Sequence, residues 1–379
     1  WIFKLLFNAY YCKDADQARP ISELYDRFSQ DGNTLLNACC DEDTPSFSAD
    51  EWNAYSEEKQ QALLLKYRIA YLSDTWVNWC EELGTVLAND EVKDGVSERG
   101  GHPVEQKLMR QWSMRITAYA ERLLNDLETV DWSDSIKEIQ RNWIGKSKGA
   151  SLSFTVNGHD ANLEVFTTRP DTIFGVSFIV LAPEHELVQS ITTQAQQAEV
   201  EAYVEQAALK SERDRQSDVK NISGAFTGAY AIHPYTGENV AIWIGDYVLV
   251  SYGTGAVMGV PCGDQRDWDF AQHFGIDIIN IFKDVDVSEA ANTDKSAVIA
   301  NSDFLNGLSA NDAIQKAIKS IEAKGLGKGK INYRLRDAIF SRQRYWGEPF
   351  PVYYKEETPY LIEGNEAVEL PEVDKYLPT

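Results

Sequence analysis

Cysteine is scarce: Cys12, Cys39, Cys40, Cys80 and Cys262 are the only five among 379 residues, an odd number without Cys-x-x-Cys spacing or a histidine cluster nearby. That excludes a disulfide framework and fits reduced thiols in a cytoplasmic setting. The five histidines show no ligand spacing, so no metal is expected, and His185 and His273 read as helix-surface residues. No run of about 18 apolar residues is available to span a bilayer. Lys4, Asn8 and Lys13 interrupt the first residues, so neither a signal peptide nor a membrane partner is expected. Gly-x-Ser-x-Gly is missing, which leaves a serine hydrolase triad without support. Gly145-Lys-Ser147 resembles the end of a phosphate-binding loop, but Gln140 stands where that motif needs glycine. Gly325 to Gly329 lacks the flanking strand and helix of a dinucleotide fingerprint and reads as a flexible loop.

Positive charge is also short. Thirty-six Lys and Arg face 59 Asp and Glu, a net charge of −23, which ordinarily argues against a nucleic-acid partner. The distribution qualifies this. Lys324, Lys328, Lys330, Arg334, Arg336, Arg342 and Arg344 lie close together with one acid, Asp337, and a smaller group is Lys137, Arg141, Lys146 and Lys148. These form either a solvated face or a local phosphate track on an acidic protein.

What is plentiful bounds the architecture. A length of 379 residues calls for two or more cores, and 43% hydrophobic residues suffice to fill them. The first third reads as mostly helical. Ser48-Ala-Asp-Glu51 has capping-box form, and Leu108, Met109, Trp112, Ile116, Tyr119, Leu123, Leu124 and Leu127 recur at three- and four-residue spacing, which predicts a long amphipathic helix from Val104 to Val130. Residues 84–103 read as irregular. From about residue 145, short segments rich in Val, Ile, Thr, Phe and Tyr predict strands at 151–156, 162–168, 176–182, 226–232, 240–244, 247–251, 256–260 and 278–282. Helices are expected at 184–210, 265–274 and 310–323. The result is a compact, mainly β unit that closes near residue 330, with both basic groups at its edges, as for a hinged insertion whose two connections run side by side.

Two runs concentrate polar groups at strand ends. In Thr167-Thr-Arg-Pro-Asp-Thr-Ile-Phe-Gly175, Pro170 stops the strand and bunches hydroxyls, a guanidinium and a carboxylate where a pocket can form. In Tyr252-Gly-Thr-Gly-Ala-Val-Met-Gly-Val-Pro-Cys-Gly-Asp-Gln-Arg-Asp267, a short apolar strand ends at Pro261 before a helix starting near Asp264. Asp264 and Asp267 then sit in the first helical turn, where each is either an ordinary cap or a carboxylate placed to bind an ammonium group. Two polar strand ends with complementary groups make a site credible.

These runs resemble those of bacterial-type leucyl-tRNA synthetases of class I. The resemblance covers nearly the whole chain, through Trp76-Val-Asn-Trp-Cys80, Gly84-Thr-Val-Leu-Ala-Asn-Asp-Glu91, Gln111-Trp112 with Ile116 to Leu124, Asn142-Trp-Ile-Gly145, the two runs above, and Ser341-Arg-Gln-Arg-Tyr-Trp-Gly-Glu-Pro349. The Thr167 run is shared with valyl and isoleucyl relatives. His-Ile-Gly-His and Lys-Met-Ser-Lys-Ser, which handle ATP in the family, are both missing. Together with Trp1 in place of Met and an extended tail at Tyr376 to Thr379, this reads as an internal stretch of a longer enzyme, not expected to ligate leucine.

The fold implied is α/β: a mainly β editing domain, barrel-like with decorating helices, over 145–335, inserted into a partial Rossmann-type catalytic domain with a helical N-terminal portion, 1–144 and 336–379. The activity implied is hydrolysis of the ester of leucine tRNA carrying a wrong amino acid such as norvaline, isoleucine or methionine, because pockets differing by one methylene discriminate by only ~1 to 3 kcal/mol. The residues implied are Asp267 for the substrate α-ammonium, Thr167 and Thr168 beside the terminal adenosine and ester, and Thr172 crowding out the leucine side chain. Arg169, Tyr252 and Met258 would shape the adenosine and side-chain pockets, with Asp264 nearby. Lys328, Lys330, Arg334, Arg336, Arg342 and Arg344 are candidates for contact with the tRNA acceptor end. No cofactor is implied for editing, ATP and Mg for the whole enzyme, and a monomeric state. Two departures stand out. Many relatives have His where Gly263 stands, after Cys262, and some bind zinc through cysteines after Cys80, where this chain has Glu82, Ser97 and Arg99. Two rivals remain, an acceptor-end binding module without hydrolysis and an unrelated small-molecule hydrolase.

Overall fold

The computed structural model describes residues 1–210, 215, 221–250, 254–294, 296–340, 349–362, 364, 368–369 and 372. It divides into two compact units: 1–91, 96–145 and 333–379 in the first, 92–95 and 146–332 in the second.

The first unit opens with α1 (Ile2–Phe7), the antiparallel pair β1 (Ala9–Cys12) and β2 (Gln17–Pro20), and α2 (Ser22–Asp31). Helix α3 (Ala49–Ala54) starts with the capping box: Ser48 Oγ accepts from the Glu51 N–H at 3.3 Å and Glu51 Oε2 from the Ser48 N–H at 2.8 Å. After α4 (Glu57–Leu65), a core of Leu24, Phe28, Phe47, Trp52 and Leu64 is complete.

The next segment overturns the helix expected over Val104 to Val130 and, with it, the mostly helical first third. Strands β3 (Ala70–Cys80), β4 (Thr85–Leu87), β5 (Val92–Lys93, assigned to the second unit), β6 (Val96–Ser97) and β7 (Glu105–Met114) come first, and β3 pairs antiparallel with β7 from Ala70↔Met114 to Trp79↔Glu105. Trp76 faces Leu108 and Leu72 faces Trp112. Ladder bonds and cross-strand aromatic–aliphatic pairs along β3 outweigh the helical spacing of the β7 apolar residues. Only α5 (Ala120–Asp126) remains of that helix. It is followed by α6 (Asp134–Ile144), ended by Gly145 in the left-handed conformation, φ +60°.

In the second unit, β8 (Lys146–Val156) and β9 (Asn162–Thr167) form a hairpin in the register Ala150↔Thr167 to Thr155↔Asn162. Strand β10 (Phe178–Leu181) precedes α7 (Leu187–Ile191) and α8 (Gln197–Ala208). The single helix expected over 184–210 is therefore two, parted where the Thr193 N–H bonds to the Thr227 carbonyl at 2.9 Å. Strands β11 (Ala225–Ile232), β12 (Asn239–Ile244) and β13 (Ala256–Gly259) follow, then α9 (Gln265–Phe274), α10 (Ala310–Ala323) and β14 (Gly327–Tyr333).

The sheet order is β13-β10-β12-β11-β8-β14, with β9 also on β8. Strand β10 runs parallel to β12 and antiparallel to β13. Edge strand β13 approaches β9 within 8 Å between Cα atoms, but no ladder joins them. Among the described residues this is an open, curled sheet and not a closed barrel, which corrects the barrel-like expectation. The strands expected at 247–251 and 278–282 do not form: 246–250 is turn and bend, with 251 outside the described residues, and Phe282 makes an isolated bridge to Ile299. One core holds Leu152, Phe154, Val165, Ile173, Ile179, Ile242, Met258 and Ile321, and a smaller one beneath α9 holds Phe178, Val180, Val248, Phe270 and Ala271. All four residues of β10 are buried, as for a strand covered on both faces.

The chain then re-enters the first unit through β15 (Ala338–Ile339), which pairs with β7, and the hairpin β16 (Val352–Lys355) with β17 (Thr358–Leu361). Asp337, the lone acid of the basic run, anchors this return: Tyr71 donates to its Oδ2 at 2.6 Å and the Thr117 N–H to its Oδ1 at 2.9 Å. Strand pairs β1–β2, β3–β4, β3–β7, β7–β15 and β16–β17 of this unit all run antiparallel. The whole is mixed α/β with several sheets.

Candidate functional site

Strand β9 delivers Thr167 to a tight turn, where its Oγ1 accepts from the Arg169 N–H at 3.0 Å. Pro170 begins a 3₁₀ turn, Pro170–Gly175. Arg169 is bound back onto this turn: Nε lies 2.9 and 3.2 Å from the two Asp171 carboxylate oxygens and Nη2 2.8 Å from Oδ2. Asp171 is fully buried, so this bidentate pair neutralises a charge that burial would otherwise penalise. Thr172 is buried as well, its hydroxyl donating to the Arg169 carbonyl at 2.8 Å. Thr168 is exposed and Thr167 half-buried at the strand end.

The second run reaches the same place from β13. Gly259 is required for close packing, since a Cβ there would stand 2.4 Å from the Phe178 ring. Asp264 caps α9, accepting from the Arg266 and Asp267 N–H groups at 2.9 and 3.2 Å. Its carboxylate thus does the work of an ordinary cap. Asp267 differs. Its Oδ2 accepts from the Val260 N–H at 2.8 Å, tying the first turn of α9 to the end of β13. Burial, and then the Asp264 charge, push its carboxyl up to about 7, against the opposing Val260 N–H and Arg266.

The two runs touch. A Cβ on Gly175 would meet Cys262 Sγ at 3.1 Å and Val260 Cγ1 at 3.3 Å, so the end of the 3₁₀ turn lies directly against the segment between β13 and α9. Cys262 is fully buried and its thiol is pushed up to about 11 by burial, which makes it packing and not a reactive group. At Gly263 an added Cβ would meet Phe282 at 3.5 Å, ordinary contact, so steric need does not impose glycine there. Met258, expected on a pocket wall, packs in the larger core at 8% exposure. Tyr252, Arg342 and Arg344 lie outside the described residues.

The basic groups separated in sequence converge. Strand β8 carries Lys146 and Lys148, its neighbour β14 carries Lys328 and Lys330, and Lys148 and Lys328 are exposed. Arg334 and Arg336 are exposed just beyond. Among the described residues no group of three His, Cys, Asp or Glu side chains is placed to hold a metal ion.

His233 was not legible as part of this region. Its Nδ1 accepts from the Tyr235 and Thr236 N–H groups at 3.2 and 3.1 Å, which leaves Nε2 to donate to the Ile173 carbonyl at 2.9 Å. It therefore braces the turn that carries Thr172. The one local cue is the polar turn His-Pro-Tyr-Thr-Gly after a strand.

With this geometry in place, the likenesses to known proteins are specific. The family model for the leucyl-tRNA synthetase editing domain matches residues 141–322. The chain belongs to the leucyl-tRNA synthetase family. It is 60% identical over its full length to the leucine–tRNA ligase of Christiangramia forsetii and 61% to that of Flavobacterium johnsoniae. It spans about 40% of the length of either relative. Among solved structures it resembles the Agrobacterium radiobacter K84 agnB2 LeuRS in its ternary complex with tRNA and LeuAMS, with a TM-score of 0.60 and 35% identity over 78% of this chain and 34% of that one. The two runs and strand β8 thus lie within the stretch matched by the leucyl-tRNA synthetase editing-domain model. No described helix is long and apolar enough to cross a membrane.

Proposed function

We propose that residues 145–335 hydrolyse the aminoacyl ester of leucine tRNA charged with the wrong amino acid, and that 1–144 and 336–379 are parts of the Rossmann-type catalytic domain of a cytoplasmic, monomeric synthetase. The observation that supports this reading is the contact of the Thr167–Gly175 turn with the Val260–Cys262 segment, whose Val260 N–H also binds the Asp267 carboxylate. Asp267 takes the substrate α-ammonium: a cation restores ionisation to a carboxyl that burial holds near neutrality. Thr167 and Thr168 line the ester and terminal adenosine, and Thr172, fixed by its bond to the Arg169 carbonyl, excludes the leucine side chain. Arg169 acts chiefly by clamping that turn through Asp171. Asp264 caps the helix that carries Asp267, and Met258 packs in the core behind the turn; Tyr252 is assigned to the adenosine pocket by the family resemblance alone.

With both aspartates used for capping and binding, a positioned water attacks the ester carbonyl. The ribose oxygen leaves with a proton, assisted by the vicinal hydroxyl of the substrate. Lys328, Lys330, Arg334, Arg336, Arg342 and Arg344 contact the acceptor end. Editing requires no cofactor in this scheme, whereas ATP and Mg serve ligation in the whole enzyme.

A thermodynamic cycle tests the ammonium role. An amide-linked 3′-isoleucyl adenosine and its desamino analogue are titrated against the wild-type chain and Asp267→Ala. Loss of the amine and loss of the carboxylate are expected to be non-additive, each weakening binding by a similar factor and the second adding little. Additive losses would remove Asp267 from the ammonium site. Gly263, where many relatives have His, favours a second reading, acceptor-end binding on the lysine strands without turnover.

A further inference from the structure

The following rests on the reading of Asp267 as the ammonium-binding carboxylate. Asp267, Phe270, Ala271 and Phe274 follow i, i+3, i+4, i+7 spacing on α9, one helical face, and Phe270, Ala271 and Phe274 pack in the small core with Trp243, Tyr247 and Val248. Tyr247, in the turn after β12, sits against the helical turn that carries Asp267. The Arg266 guanidinium lies over its ring at 5.1 Å from the centroid, and the Phe270 ring meets it edge-on at 6.1 Å. The Tyr247 hydroxyl is buried and bonds to no described group. Burial first, then the Asp267 charge, push its ionisation far above the ordinary range, so it remains a donor. On the other side, the Val260 N–H is the one described donor to the Asp267 carboxylate.

A buried phenol that stays neutral and has no partner carries a desolvation penalty that a hydrogen bond would offset. Asp267 stands one helical turn before Phe270 and next to Arg266, the two residues of α9 that touch the Tyr247 ring. We propose that Tyr247 is a positioning residue for Asp267: its hydroxyl bonds to the carboxylate through one enclosed water, favouring the charged form and orienting it for the substrate α-ammonium. A bridging water transmits such a bond nearly as well as direct contact. The other charged groups facing Asp267 are Asp264 and Arg266, and those facing Tyr247 are Arg266, Asp264 and, from α8, Tyr203.

The test is a carbonyl-carbon NMR titration of ¹³C-aspartate in the whole chain, without substrate, with Asp267 assigned through Asp267→Asn. In Tyr247→Phe the Asp267 midpoint is expected to rise by roughly 0.5 to 1 pH unit, because a hydrogen bond to the charged form is lost. The acid limb of kcat/KM for ester hydrolysis should move by the same amount. An unchanged midpoint, with the Phe variant more stable for having lost an unpaired hydroxyl, would overturn the proposal and leave Tyr247 a packing residue. A shifted midpoint in a chain that hydrolyses no aminoacyl-tRNA would uphold the coupling and remove the hydrolytic reading instead.

Discussion

Replacing Asp267 by Asn should stabilise the 146–332 unit at alkaline pH while disabling its site. The carboxyl moves from 3.8 in the unfolded chain to about 7 when folded. The folded state therefore binds the proton more tightly, and stability falls as pH rises from about 4 through 7, where the desolvated group must ionise. About three units at 1.36 kcal/mol each make the full penalty on the order of 4 kcal/mol. Asn keeps an oxygen to accept from the Val260 N–H, which lies 2.8 Å from Asp267 Oδ2, so this anchor survives. Denaturant unfolding of both proteins between pH 4 and 8.5 gives the difference curve. The Asn variant should gain steadily with pH up to about 7 and then level off, with the gain absent near pH 4. A difference independent of pH, or a wild type more stable than the variant at pH 8, would refute the half-buried, destabilised carboxylate on which ammonium binding depends.

Three further outcomes follow from the same geometry. Thr172→Ala removes a side chain that is 3% exposed and bonded to the Arg169 carbonyl, so loss of the correct leucyl ester should rise roughly tenfold or more, measured as half-life of the charged tRNA. His233 is held below its usual 6.5 by burial, so its contribution is present above pH 6.5 and lost as pH falls below it. His233→Leu should flatten that acid slope and lose about 1 kcal/mol at pH 7 with the Ile173 bond. The slope opposes that of Asp267, and difference curves against each variant separate the two. On the paired strands, Lys328→Glu should weaken tRNA binding and reduce the logarithmic salt slope by about 0.7 to 0.9 per lost phosphate contact, read by filter binding at several salt concentrations.

The strands of the second unit were largely legible because alternation, Pro and Gly mark them: Pro170 and Pro261 each follow a strand end, and Asp264 caps the helix placed at 265–274. The stretch from Val104 to Val130 misled because three- and four-residue spacing also arises in a ribbon, where Leu108 and Trp112 point to one face and Met109 to the other. Only the distant partner β3 decides between them. Pairing across distance also explains what was not readable at the site. Thr172, Asp171 and Met258 are enclosed by residues far off in sequence, and the brace from His233 to Ile173 crosses 60 positions. Arg169, expected to shape the adenosine and side-chain pockets, is bound by its neighbour Asp171.

The most direct measurement follows ester loss from leucine tRNA charged with isoleucine and, separately, with leucine, in the presence of this chain and of Asp267→Ala. The account predicts rapid loss of isoleucine, persistence of leucine, and no acceleration by the variant. Equal loss of both esters, or binding of the charged tRNA with no hydrolysis of either, would contradict it.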